Sequence, residues 1–217
     1  MSAAREQMLE LIRTAVRSGV STDQPSPPVA STAKIDPPPT GEELVALFID
    51  RARACGATVT PCHPTTLNDA LADACARHRA RRLVIPPGLP KQWHPPGIEL
   101  ITDNTLTPQQ LDELDGAITG AAAGIAESGT IALDGAPDQG RRALTLIPDL
   151  HVCIVQASRI VATLPDALTH LAESVHPGRR AITLISGPSS TADIELRRVQ
   201  GVHGPRHLEI IVPSRQR

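Results

Sequence analysis

Apolar side chains recur at helical spacing near the start of the chain, at Met8, Leu11, Ile12, Ala15 and Val16. That spacing predicts an amphipathic helix over 3–17. The pattern then stops. Pro25, Pro27, Pro28, Pro37, Pro38 and Pro39 stand among Ser and Thr, and proline neither donates to a ladder nor continues a helix. The expected organisation is a helical arm over 1–18, an extended Pro-rich linker over 19–40 and a folded body over 41–217. The body opens with a helical pattern from Glu42 to Ala54, stopped at Gly56, and a second from Asn68 to Arg79. Ala57–Pro61, Arg82–Ile85 and Glu99–Thr102 read as short apolar strands. Pro108–Leu114 reads as a short helix with its proline near the start.

The second half is richer in strand patterns. Ala117–Ala126 and Thr130–Leu133 read as strands around a turn at Ser128–Gly129, followed by strands at Leu144–Ile147, Val152–Val155 and Ile160–Ala162. A helix is expected over Pro165–Ser174 and a buried strand over Ala181–Ile185. A short helix over Ile194–Gln200 would end at Gly201, and Leu208–Val212 reads as the last strand. Helices alternating with brief apolar strands predict an α/β fold with an open, parallel or mixed sheet covered by helices. Gly116, Gly120 and Gly124 are spaced as in membrane helix pairs, but the stretch is short and flanked by Glu113, Asp115 and Glu127. Close backbone approach or a bend within a strand is the better reading.

Composition narrows the function. Apolar residues make up 41% of the 217 positions but aromatics only 1%, Phe48 and Trp93. The core is therefore aliphatic, and stacking platforms for single-stranded nucleic acid are missing. A net charge of -2, from 21 Lys+Arg against 23 Asp+Glu, leaves no basic footprint for DNA or RNA. The basic run Arg77–Arg82 suits the negative end of a helix dipole, with an anion or partner surface as the alternative. Cys55, Cys62, Cys75 and Cys153 fit neither a zinc nor an iron–sulfur spacing, so buried free thiols in a reducing compartment are expected. The N-terminus does not read as a signal peptide, and no run approaches the roughly 18 apolar residues of a membrane span. A soluble, cytoplasmic protein is expected.

Three loops carry candidate chemistry. In Ala126–Thr130, Glu127 ends an apolar strand beside Ser128, Gly129 and Thr130, where a carboxylate can serve as base or nucleophile; an exposed Glu beside an ordinary turn fits as well. Residues 186–195 follow a strand, and Gly187, Ser189, Ser190 and Thr191 offer hydroxyls and backbone N–H groups to an anion at a helix start. Ser190 and Asp193 also suit a plain capping box. In 201–205, His203 beside Gly204 and Pro205 could carry a proton or simply bond to backbone. His203 and His207 are four apart, but Gly204-Pro205 breaks any helix that would pair them on zinc. Walker, dinucleotide-fingerprint and serine-hydrolase patterns are absent.

Taken together, AESGT at 126–130, GPSSTADIE at 187–195 and GVHGP at 201–205 resemble the LUD-domain family, and within it the short lactate-utilisation protein C type. The resemblance runs from about residue 41 to the end of the chain, judged from where compact elements begin. It implies a subunit of a system that oxidises L-lactate to pyruvate, with iron–sulfur clusters on partner subunits and no cofactor bound by this chain. It also implies a Rossmann-like core of the ribose-isomerase, glucosamine-phosphate-isomerase and CoA-transferase group, in which a Glu near a strand end can be a nucleophile. On this reading Ser189–Thr191 hold an organic carboxylate, and Glu127, His203 or Asp193 handles a proton, the three loops meeting at one sheet edge. A stand-alone enzyme of isomerase or acyl-transfer type and a non-catalytic metabolite-binding module are the alternatives.

Overall fold

The computed structural model describes residues 3–17, 40–175, 178, 180–191, 199–200 and 203–214. The chain forms two compact units, residues 1–33 and 34–217. The first contains α1 (Ala3–Arg17), an amphipathic helix on which Met8 and Leu11 are exposed. In the second, the elements run α2 (Gly41–Ala54), β1 (Thr58–Cys62), α3 (Leu67–Arg77), β2 (Arg82–Ile85), β3 (Glu99–Thr102), α4 (Pro108–Asp112), β4 (Gly116–Gly120), β5 (Ala123–Ile125), β6 (Thr130–Leu133) and β7 (Leu150–Ile154). Then come β8 (Ile160–Val161), α5 (Leu164–His170), α6 (Ala172–Val175), β9 (Thr183–Ile185), β10 (Ser190–Thr191), β11 (Val199–Gln200) and β12 (His207–Pro213).

The fold is an open α/β one built on a six-stranded sheet of order β1-β12-β7-β4-β2-β3, in which every pairing is parallel. Mixed pairing is confined to a second sheet, β8-β5-β6-β9. Side-chain alternation explains the layering. On β7, Leu150, Val152 and Ile154 turn to α3, packing with Leu71, Ala74 and Cys75. Cys153 and Val155 turn the other way, to Phe48 and Ala52 of α2 and Ile131 and Leu133 of β6. The far side of the second sheet, with Ala123, Ile125 and Ala132, is covered by Ala167 of α5 and by Leu171.

Five expectations change. The single strand over Ala117–Ala126 is two strands in two sheets. The chain leaves the first sheet after Gly120, and the carbonyl of Ala121 accepts from Arg159 instead of a ladder partner. Both strands are buried throughout, so no polar position marks the break. Leu144–Ile147 is not a strand: Arg142–Thr145 is a single 3-10 turn that buries Leu144 against Val84, Leu111 and Ala117. Strand β9 is an edge, with Leu184 46% exposed, rather than buried. The helix over Pro165–Ser174 is interrupted at Leu171. Of the helix expected at Ile194–Gln200, residues 194–198 lie outside the described residues, and Val199–Gln200 pairs as strand with Ser190–Thr191. Ser190 therefore does not open a helix.

The small-residue series marks close approach. A side chain at Gly116 would meet the Leu150 carbonyl at 2.8 Å, and one at Gly120 would meet the Asp138 carboxylate at 2.4 Å.

Candidate functional site

The 3-10 turn before β7 places Arg142 in the gap between the two sheets. Its Nη1 donates to the carbonyl and the Oγ1 of Thr145, at 2.9 and 2.7 Å. No carboxylate among the described residues pairs with it, whereas Arg141 beside it is held by Asp103 at 2.7 Å. Burial lowers the pKa of Arg142, and a partly desolvated cation without a counter-charge is a ready partner for an anion.

Arg142 and Thr145 line a cavity of about 260 Å³ together with His151, the loop Ser186–Ser189 and the loop His203–Pro205. Two bonds tie the loops together: Ser189 N–H donates to the Pro205 carbonyl at 2.9 Å, and His203 N–H to Ser189 Oγ at 3.2 Å. His151 on β7 is 1% exposed. Its Nε2 lies 2.8 Å from Thr119 Oγ1 on β4, and its buried Nδ1 has no hydrogen-bond partner among the described residues. Burial, with the Arg142 charge adding to it, pushes the His151 pKa down to about 3, so the ring is neutral at ordinary pH. A small cavity lined by a cation without a described counter-charge, a neutral imidazole and two polar loops suits a small organic anion.

The chain matches the LUD domain model over residues 101–212. The chain belongs to the LUD-domain family. It is 40% identical over 210 residues to a protein of Deinococcus radiodurans named lactate utilization protein C, spanning 96% of this chain and 95% of that one. A Bacillus licheniformis protein of the same name is 28% identical, across 80% of this chain and 79% of its own. The crystal structure of a DUF162 family protein from Deinococcus radiodurans, also 40% identical, matches 81% of this chain and 99% of its own with a TM-score of 0.71.

In this LUD domain the three sequence loops do not all reach one site. Gly187, Ser189, His203 and Gly204 line the cavity. Ser190 and Thr191 follow directly in β10, and Asp193 lies outside the described residues. Glu127 is not among the lining residues. Its Oε1 accepts from the Leu164 N–H at 2.9 Å, placing the carboxylate against the first turn of α5, where it satisfies an orphan donor. Gly129 is a packing residue: at φ 64°, a side chain would strike the backbone of Ala52 at 2.2 Å. Ser128, Thr130 and Ser186 form a hydroxyl chain, 2.8 and 2.7 Å apart, that joins this turn to the cavity loop. Gly187, at φ 78°, lies so close to α2 that a side chain would meet the Cys55 carbonyl at 2.1 Å. The same helix thus sets the height of both loops.

Arg142 and His151 escaped the sequence reading. Arg142 sat beside a run read as strand, and His151 begins an apolar strand where a lone His carries no motif. The one available signal was a basic pair, Arg141-Arg142, with no acidic neighbour closer than Asp138. The basic run at 77–82 resolves structurally: Arg77 and His78 hold Glu209, at 2.7 and 2.8 Å.

Proposed function

We propose that this chain is a subunit of a lactate-utilisation system that oxidises L-lactate to pyruvate in the cytoplasm, working with partner subunits that carry the iron–sulfur clusters. Its own part is to hold a small organic anion in the cavity between the sheets. The observation that carries this reading is the Arg142 guanidinium at that cavity, with which no carboxylate among the described residues pairs. The names borne by its relatives supply the substrate class. Among the described residues, no helix is long and apolar enough to cross a membrane.

Oxidising a 2-hydroxy acid to a 2-oxo acid removes two electrons and two protons, and no side chain accepts a hydride. The electrons therefore pass to a group on a partner, while this chain binds and orients. Arg142 takes the carboxylate, the Ser189 hydroxyl and neighbouring backbone close the pocket, and His203 at the exposed rim is the route for a proton to solvent. Glu127 is left to its structural post. A stand-alone isomerase or acyl-transfer reading, which needs Glu127 free, gains no support from that geometry.

The test is calorimetric titration of L-lactate into the purified chain, alone and with its partners, beside the Arg142→Met variant. Binding weakened about tenfold or more in the variant supports the reading. Full lactate oxidation by the partners without this chain would overturn it.

A further inference from the structure

The six-stranded sheet bears a further cavity at its opposite edge. The anion cavity lies where β7 and β12 begin, whereas a cavity of about 560 Å³ lies where β1, β7 and β12 end. Its walls come from four stretches that each follow a parallel strand: Pro64 after β1, Gln92 and Trp93 after β2, Gln156 and Ser158 after β7, and Ser214 after β12. Open α/β sheets bind small molecules outside the carboxyl ends of their strands. The volume also falls within the roughly 300–1,000 Å³ of ligand sites. The fold itself fixes these walls. Ser214 N–H donates to the Cys62 carbonyl at 2.9 Å, and Trp93 N–H to the Pro90 carbonyl at 2.8 Å. Gly120, the last residue of β4, leaves room for the Trp93 ring, which a Cβ there would meet at 3.3 Å.

No charged side chain is among the lining residues. Arg159, next along the turn after β7, bonds instead to the Ala121 carbonyl at 2.7 Å and lies 3.6 Å from Asp138. The polar side chains of the lining are two amides, Gln92 and Gln156, and two hydroxyls, Ser158 and Ser214. None of the four has a hydrogen-bond partner among the described residues. Amides and hydroxyls both donate and accept, so they match a ligand edge that does both and carries no charge. Flat heteroaromatic rings suit this lining poorly, because Trp93 is only 5% exposed and offers no open face for stacking. We infer that this cavity binds an uncharged polyhydroxylated molecule, a sugar or a polyol, independently of the anion site at the opposite edge. Its hydroxyls pair with the two amides and two serines, and its C–H face lies on Pro64, Leu67 and Ala157.

Trp93 is the only tryptophan of the chain, so its fluorescence reports on this cavity. The experiment titrates D-glucose, D-ribose and myo-inositol into the full chain, beside the Gln92→Ala, Gln156→Ala and Arg142→Met variants. The expected result is a saturable change with at least one of these probes. Its midpoint should rise about threefold or more in each glutamine variant and stay unchanged in Arg142→Met. Gln92 is exposed, so its replacement tests binding without disturbing the core. A response that saturates with none of the probes, or saturates alike in both glutamine variants, would overturn the inference. So would a response lost in Arg142→Met or displaced by L-lactate, which would assign the probe to the anion site instead.

Discussion

Glu209 and His151 are both buried to 1% exposure on adjacent strands of the same sheet. Glu209 faces α3, where Arg77 donates through Nε and Nη2 at 3.2 and 2.7 Å and His78 Nε2 lies 2.8 Å away. Every oxygen is answered. His151 lines the cavity and, among the described residues, has one answered nitrogen and one unanswered, beside an Arg with which no described carboxylate pairs. Burial alone does not distinguish a structural polar residue from a binding one. Unmet bonding capacity points to binding only where a cavity adjoins it, as at His151, because Asn68 Oδ1 and His94 Nε2 are also buried without a partner among the described residues.

That contrast breaks if either centre behaves like the other. The largest expected effect is on the Glu209 side: Arg77→Met should cost about 3–5 kcal/mol in urea unfolding, since it leaves a buried carboxylate under-paired, and should not alter lactate affinity. Next is the acid response of His151. Between its unfolded value of 6.5 and its folded value of about 3, the unfolded chain binds a proton that the folded chain refuses. Stability should therefore fall as the pH drops through that window, by roughly 3 kcal/mol at pH 4. Comparing His151→Leu with the unaltered protein across pH 4–7 isolates that component, which the variant should lack.

Arg142→Met should reduce anion affinity by about 2 kcal/mol with no loss of stability, because the exposed guanidinium pairs with no carboxylate among the described residues. A marked loss of stability with binding unchanged would move Arg142 into the structural class beside Arg77. The smallest effect belongs to Glu127→Gln, where the amide oxygen still accepts from Leu164. A loss below about 1 kcal/mol in thermal unfolding is expected, from the weakened interaction with the α5 N-terminus, with lactate binding unaffected. Lost binding in Glu127→Gln would return that carboxylate to the site.

The parallel core was legible. Arg82–Ile85 and Glu99–Thr102 are strands with the bounds their apolar runs indicate, because short buried strands between turn residues leave few other solutions. The division into two sheets was not, since Gly116–Gly120 and Ala123–Ile125 are buried on both faces and read as one run. Of the site, the sequence yielded the two loops that rim the cavity, visible as glycine, hydroxyl and histidine clusters. It also gathered in Glu127, because a carboxylate in a glycine–hydroxyl turn looks the same whether it faces a ligand or the start of a helix.

Local pattern determined the element types, the aliphatic core and the loops with unusual chemistry, because periodicity and turn residues act over a few neighbouring positions. Only the tertiary structure decided that α2 sets both glycine loops, that no carboxylate among the described residues pairs with Arg142 and that a hydroxyl on the neighbouring strand bonds His151. Those are relations between residues up to 132 apart in the chain and between strands brought together by parallel crossovers. Such relations depend on which polar groups are left over once the others have paired, a property of the whole fold and not of any segment.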